Sequence, residues 1–165
     1  MEKIRLKVRW GISVKIITVS VILILAAVEY YAISSLINSK GWIEMAIICA
    51  IPLIMLYFAT ESPAFIELNE TGVLLHKLSR KLIRYEQIEN VDCYKPDKSE
   101  IRFWGSGGFF GFIGKFSNAK IGFYQSYTGD YSQAFLIQTK DNKKYVCSCE
   151  NRDLLINTIK KQIQL

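Results

Sequence analysis

Two apolar stretches near the N-terminus decide the fold of this chain. Residues 16–37 read IITVSVILILAAVEYYAISSLI, and residues 42–60 read WIEMAIICAIPLIMLYFAT. A helix needs about 20 apolar residues to cross the hydrocarbon core of a bilayer, and each stretch is close to that length. Only residues 38–41 (NSKG) separate them, so the two helices must be antiparallel neighbours. The sequence therefore predicts a transmembrane hairpin within residues 16–61.

The charges that flank the hairpin predict its orientation. Five basic side chains precede the first helix, against one acidic residue, Glu2: Lys3, Arg5, Lys7, Arg9 and Lys15. The connecting turn contains only Lys40. The positive-inside rule then places the N-terminus in the cytoplasm and returns the chain there after Glu61. A cleaved signal peptide is the competing interpretation, but no clear small-x-small cleavage site follows the first apolar core.

Residues 62–165 have the composition of a soluble domain, with turn signals recurring at about ten-residue spacing. Residues 61–64 leave almost no linker, so this domain must lie against the headgroups. At the C-terminus, Leu155, Ile159 and Ile163 recur every four residues, which is typical of one amphipathic helix. The pattern predicts a small, mainly-β barrel or sandwich of about seven strands and one C-terminal helix. The strand-like segments are Phe65–Leu68, Val73–Lys77, Leu82–Tyr85, Ile88–Tyr94, Ile101–Trp104, Ile121–Tyr127, Ala134–Thr139 and Lys144–Ser148.

A glycine- and aromatic-rich stretch, RFWGSGGFFGFIGKF at residues 102–116, resembles the signature of the bacterial pleckstrin-homology (PH) domain family. The later strand-like segments and the final helix fall in the order of that family, so the resemblance covers about residues 62–163. It implies a PH-like fold, whose bent barrel is plugged by the C-terminal helix, and membrane association; it implies no catalytic residue. The first hairpin turn contains Glu70 and no cation, so inositol-phosphate recognition is not indicated.

The same stretch supplies the candidate contact residues. If residues 105–114 form a loop, its phenylalanines cannot all face one small core, and exposed aromatic side chains at a membrane surface favour lipid or partner contact. Packing of these rings within the domain itself is the alternative interpretation. Two lysines could add electrostatic attraction. The candidate lipid or partner contacts are Phe109, Phe110, Phe112, Phe116, Lys115 and Lys120.

Catalytic, metal and nucleotide sites are not indicated. Gly114-Lys115 is followed by Phe116 where a phosphate-binding loop needs Ser or Thr. His76 has no obvious metal-ligand or triad partner. The four cysteines lack zinc spacing and are interpreted as free thiols, and a net charge of +6 without a recognised motif does not indicate nucleic-acid binding. Glu29, inside the first apolar stretch, is interpreted as an interfacial or helix-packing residue.

The sequence therefore predicts a non-enzymatic, multi-pass protein of the bacterial inner (cytoplasmic) membrane with both termini cytoplasmic and no cofactor. Its expected parts are a basic N-terminus (1–15), the hairpin (16–61) and a PH-like domain (62–165). The expected function is protein or lipid interaction, or assembly, at the cytoplasmic membrane surface, with the bilayer and a protein partner or a second copy as partners. The alternative is an accessory subunit of a larger membrane transport or envelope complex, bound through the transmembrane helices.

Overall fold

The computed structural model describes residues 3–39 and 41–164; Glu2 and Lys40, used above for the orientation, lie outside this range. Helix α1 spans Ile12–Ser39 and helix α2 spans Trp42–Glu61. Both predicted helices are confirmed, and each is long and apolar enough to cross a membrane. Helix α1 begins before the apolar stretch and includes Lys15.

A short strand, β1 (Ile4–Lys7), precedes the hairpin and pairs antiparallel with β2 (Phe65–Leu68), which follows it. Leu6 lies opposite Ile66, and the Val8 amide extends the contact by donating to the Ala64 carbonyl over 3.0 Å. The hairpin is thus inserted between two neighbouring strands of one sheet. The two ends of the hairpin must therefore lie side by side.

The β strands form two facing sheets that are not closed into a barrel. The first sheet has the order β1-β2-β3-β4, with β3 at Gly72–His76 and β4 at Lys81–Arg84. The second runs from β5 (Ile88–Cys93) through β9 (Ala134–Thr139), β10 (Lys144–Ser148), β8 (Gly122–Thr128) and β7 (Phe112–Asn118) to β6 (Ile101–Gly107). Helix α3 (Arg152–Ile163) follows. The predicted mainly-β domain with a C-terminal helix is confirmed as a sandwich. Within its described residues it has nine strands instead of about seven, and β1 adds a tenth from before the hairpin.

The core lies between the inner faces of the sheets and α3. Ile66, Phe135 and Leu155 are fully buried there, one from each layer. Cys147 and Cys149 occupy the same core, as their alternation on one strand face requires. Burial raises the pKa of both thiols, that of Cys149 to about 12, so these cysteines are protonated, inert core residues at neutral pH.

Strands β6, β7 and β8 form an antiparallel meander that follows β5 and precedes β9 in the sequence and lies at the far edge of the sheet, beyond β10. The meander joins the sheet through a parallel pairing of β8 with β10, where Tyr127 lies opposite Cys147. Residues 105–114 do not form one loop, because β6 extends to Gly107, β7 begins at Phe112, and only residues 108–111 form the turn between them. Glycines carry no side-chain alternation, so the sequence pattern does not mark these strands.

Candidate interaction site

The turn between β6 and β7, residues 108–111, contacts the helical hairpin. The Thr18 hydroxyl donates to the Gly108 carbonyl (3.2 Å) and accepts from the Phe110 amide (3.0 Å). The Ser62 hydroxyl donates to the Phe110 carbonyl over 2.8 Å. Gly108 has a φ of 128°, and a Cβ there would lie 2.5 Å from Cδ1 of Ile17, so a larger residue would strain the backbone and displace the Ile17 side chain. We call residues 108–111 the docked turn.

Aromatic rings surround the docked turn. The ring centroids of Phe109 and Phe58 of α2 are 5.8 Å apart, and those of Phe110 and Trp10 are 5.7 Å apart. Phe110 has a left-handed backbone (φ 58°), which costs a residue with a side chain about 1–2 kcal/mol. The contacts of its ring and backbone offset that cost. Phe109 and Phe110 are half-buried against the helices of their own chain.

The docked turn lies at the end of the domain that faces the two helices. Thr18 is six residues into α1, or about 9 Å along the helix axis. Phe58 is within one turn of the end of α2 at Glu61. In a bilayer spanned by both helices, the docked turn would therefore sit near the boundary between headgroups and acyl chains.

Replacing Thr18 with valine should release the docked turn. Valine keeps the shape of threonine but removes both hydrogen bonds. The Phe110 amide is then left unpaired, at a cost of about 2 kcal/mol, and the Gly108 carbonyl keeps only the Gly111 amide, at 3.4 Å. We expect faster amide hydrogen exchange at residues 108–111 of the full chain in nanodiscs. Ser20→Ala, an exposed change on the same helix, is the control. Equal exchange in all three proteins would contradict the contact.

Phe112 and Phe116 lie on the outer face of the second sheet. Phe116 is 4% exposed and stacks on Tyr124, and Phe112 packs against Tyr131 with ring centroids 4.5 Å apart. The Tyr94 and Tyr124 hydroxyls both donate to the Glu100 carboxylate. Burial, assisted by that carboxylate, raises the pKa of both tyrosines, so both remain protonated. This second apolar layer is structural packing.

The two candidate lysines lie apart from each other. Lys115 is an exposed residue of β7 and makes no ion pair within the described part of the chain. Lys120 lies in the turn after β7, with its Nζ 3.6 Å from Oδ2 of Asp97. Of the six predicted residues, the structure brings Phe109 and Phe110 together in the docked turn and places Phe112 and Phe116 in the second apolar layer. Their contact with lipid or a partner stays a prediction.

A different surface combines exposed aromatic rings with positive charge. It is an open groove of about 700 Å³ on the inner face of the meander, beside the edge strand β4. Phe103 and Phe123 form its apolar part, with ring centroids 5.0 Å apart and exposures of 58% and 69%. We call this the lysine groove. Its lining residues are Lys81, Phe103, Lys115, Phe123, Tyr124, Gln125, Asn142, Lys143, Lys144 and Tyr145.

A β-bulge shapes one wall of the lysine groove. Arg102 pairs with Phe116 and Trp104 with Lys115, so Phe103 is an extra residue in β6. A bulge redirects side chains locally, and here two consecutive aromatic residues stand beside Lys115. Trp104 is 70% exposed, on a strand that has only one neighbour in the sheet. Large apolar side chains on an open sheet edge are typical of a surface that another molecule covers.

The charged side chains that line the groove are all positive. Four lysines and no carboxylate line it. The Lys81 ammonium lies 4.4 Å from the centroid of the Tyr145 ring, and Lys144 donates to the Ile121 carbonyl over 2.6 Å. Lys143 pairs with Asp141 at 2.6 Å. Lys81 and Lys115 have no acidic partner in the described residues, so their charge is available to a ligand.

Sequence reasoning did not find Phe103 and Phe123 as a pair. They are twenty residues apart, on strands that are not adjacent, and their proximity depends on the bulge. Residues 121–127 were predicted as a strand, but their side chains (IGFYQSY) do not alternate clearly enough to show which face is exposed. Pairing that face with β6 required the structure.

Other candidate groups have structural contacts. His76 stacks on Phe65 at 4.0 Å, with Nε2 3.3 Å from Oε2 of Glu67. In the hairpin, the Ser35 hydroxyl donates to Glu44 Oε1 over 3.2 Å, and Glu29 is half-buried. Among residues 3–39 and 41–164, no three His, Cys, Asp or Glu side chains are grouped as a metal site requires.

Two facing sheets, one closing helix and an apolar hairpin define a PH-like protein preceded by two helices that could span a membrane. A family model described as Bacterial PH domain matches residues 65–163, more than half of the chain. The chain belongs to this family. A search of curated proteins and a search of solved structures found no match. The PH-like domain suggests protein or lipid interaction in general.

Proposed function

We propose that this chain is a non-enzymatic membrane protein whose PH-like domain binds a protein partner at the cytoplasmic membrane surface. The observation that carries the proposal is the lysine groove, where exposed Phe103 and Phe123 adjoin lysines that lack acidic partners. Aromatic residues surrounded by polar groups are typical of protein interfaces. The positive lining favours a partner segment that carries carboxylates beside apolar side chains.

The attachment of the domain supports this function. The docked turn and the pairing of β1 with β2 join the domain to both ends of the hairpin. A domain held at several points has few orientations, so the groove would face the same way in every copy. A partner bound there is held close to the membrane, which raises its local concentration without a long tether.

Co-purification tests the proposal. The full chain, extracted from its native membrane in mild detergent, is compared with a Phe103→Ser/Phe123→Ser variant. The control is Leu154→Ser, which removes an exposed apolar residue of α3 outside the groove. We expect one protein, or a second copy of this chain, to be retained by the wild type and the control and lost from the groove variant.

A crosslink identifies the contact directly. A photoreactive residue at position 123 should crosslink to the same protein in intact membranes. A partner that both serine substitutions leave bound, and that crosslinks only from α1 or α2, would contradict the groove and favour binding through the transmembrane helices. Full-length protein is required, because strand β1 lies outside residues 62–165.

A further inference from the structure

The turn between β3 and β4, residues 77–80, lies beside the end of the second helix. The Leu78 amide donates to the Thr60 carbonyl over 3.1 Å, and Thr60 is the penultimate residue of α2. The Lys77 ammonium lies 2.5 Å from the Glu61 carboxylate. Two contacts therefore fix this turn at the level where the apolar helix ends.

The composition of the turn suits a bilayer surface. Leu78 is 79% exposed, which is the largest exposure of any large hydrophobic residue within the described part of the domain. Arg80 is exposed and makes no ion pair within the described residues. An apolar side chain beside a free cation is the arrangement of membrane-surface anchors, in which the apolar group enters the interface and the cation meets lipid phosphate.

We propose that residues 77–80 form a contact site for anionic phospholipid, with Leu78 among the upper acyl chains and Arg80 on the headgroup phosphate. Lys77 is already paired with Glu61, so Arg80 supplies the free charge. The site is distinct from the lysine groove and does not depend on a protein partner. It rests on α1 and α2 spanning a bilayer, which places Thr60 at the interface.

The position of the turn argues for lipid as the occupant. A bilayer spanned by α2 would surround the residue to which Leu78 is hydrogen-bonded, so lipid is the nearest molecule to its side chain. The opposite end of the first sheet differs. There the turn at residues 69–72 is closed by the Asn69 side chain, which accepts from the amides of Thr71 and Gly72. That turn contains acidic Glu70 and no cation.

A fluorescent label measures the depth of the turn. In the full chain, the exposed Cys49 and Cys93 are changed to serine. An environment-sensitive label is then attached at Leu78→Cys. The control carries the label at Glu86→Cys, at the far end of the sandwich. Buried Cys147 and Cys149 remain unlabelled because burial raises the pKa of their thiols. In phosphatidylcholine vesicles with one third phosphatidylglycerol, we expect lipids brominated near the headgroup to quench the label at 78 and leave that at 86 unquenched.

The preference of the turn for anionic over zwitterionic lipid tests the role of the Arg80 charge. Energy transfer from the label at 78 to trace acyl-labelled phosphatidylglycerol is compared with transfer to acyl-labelled phosphatidylcholine. The ratio measures the enrichment of phosphatidylglycerol around the turn. We expect this enrichment to fall about fivefold in Arg80→Gln, the effect of one basic side chain at an anionic surface. Lys161→Gln, near the distant end of α3, is the matched control and should leave the enrichment unchanged. High salt should reduce the wild-type enrichment.

Two outcomes would overturn the proposal. If the label at 78 is as unquenched as that at 86, the turn does not enter the bilayer. If it is quenched but the enrichment is the same in Arg80→Gln, the phosphate contact is wrong. The Phe103→Ser/Phe123→Ser variant should behave as wild type in both measurements, so failure of the groove and failure of this site are distinguishable.

Discussion

Replacing Gly114 with alanine is expected to prevent the pairing of β6 with β7 and to cost about 4 kcal/mol of folding free energy. Gly114 and Gly105 lie opposite each other with φ of 128° and 108°. A Cβ on Gly114 would overlap the Trp104 carbonyl oxygen and lie 2.8 Å from the Gly105 Cα. Backbone cannot yield as a flexible side chain can. Chemical unfolding of the purified full chain, followed by far-ultraviolet circular dichroism, measures the loss.

The Gly122→Ala variant is the control that separates the cost of a positive φ from the cost of atomic overlap. Gly122 also has a positive φ, 71°, but a Cβ there meets no atom within 4 Å. This variant should lose only about 1 kcal/mol, the cost of a left-handed alanine. Equal loss in the two variants would show that the close approach of β6 and β7 is not what requires Gly114.

Replacing Leu6 with aspartate should detach β1 from the sheet. Leu6 is 6% exposed and packs in the same core cluster as Ile66 and Leu68, where an unpaired carboxylate costs several kcal/mol. Since β1 is an edge strand, we expect it to leave the sheet rather than bury the charge. Trypsin should then cut after Lys7 or Arg9 on the order of a hundredfold faster, because proteolysis tracks the population of the open form.

Leu6→Ile is the matched control for this experiment. It preserves side-chain volume and suits a strand, so the cleavage rate should stay near that of the wild type. The measurement is the cleavage rate of the full chain in nanodiscs, followed by mass. Similar rates for the aspartate and isoleucine variants would contradict the burial of Leu6 between the sheets.

Local pattern was sufficient for the hairpin and for several strands. The apolar stretches exceed what a soluble domain of this size explains, so α1 and α2 followed from length and composition alone. Ala134–Thr139 and Lys144–Ser148 have the predicted bounds, because alternation and the Asp141-Asn142 turn mark their ends. The stripe of Leu155, Ile159 and Ile163 likewise predicts α3.

Non-local pairings were beyond the sequence. Strand β1 has four residues, and its alternation is hidden among the basic charges that predict orientation. Strand β7 begins inside a glycine-rich stretch whose backbone angles, not side chains, determine its path. The parallel pairing of β8 with β10 places Gln125 beside Tyr145 and so creates the groove floor. Strands β1 and β2 are far apart in sequence, as are β8 and β10, so neither pairing could be read from a local pattern.

The contact of the aromatic stretch with lipid or a partner stays a prediction, and the contacts that the structure shows are intramolecular. Sequence reasoning held that the phenylalanines of residues 109–116 could not all fill one core. The structure divides them between the docked turn and the outer face of the second sheet. Contact of the docked turn with the protein's own helices depends on Thr18. Nothing in the sequence distinguishes this small polar residue within its apolar stretch.

The pairing of β1 with β2 imposes an order on biogenesis. Strand β1 leaves the ribosome first, yet its partner follows only after residues 8–64 have been synthesised. Closing so long a loop is entropically costly unless an intervening structure brings the ends together, and an inserted helical hairpin does this. Where both helices span a bilayer, β1 can therefore join the first sheet only after they have inserted with their ends on one side. A misinserted hairpin would leave β1 unpaired and exposed to proteases, so completion of the sheet would itself report correct insertion.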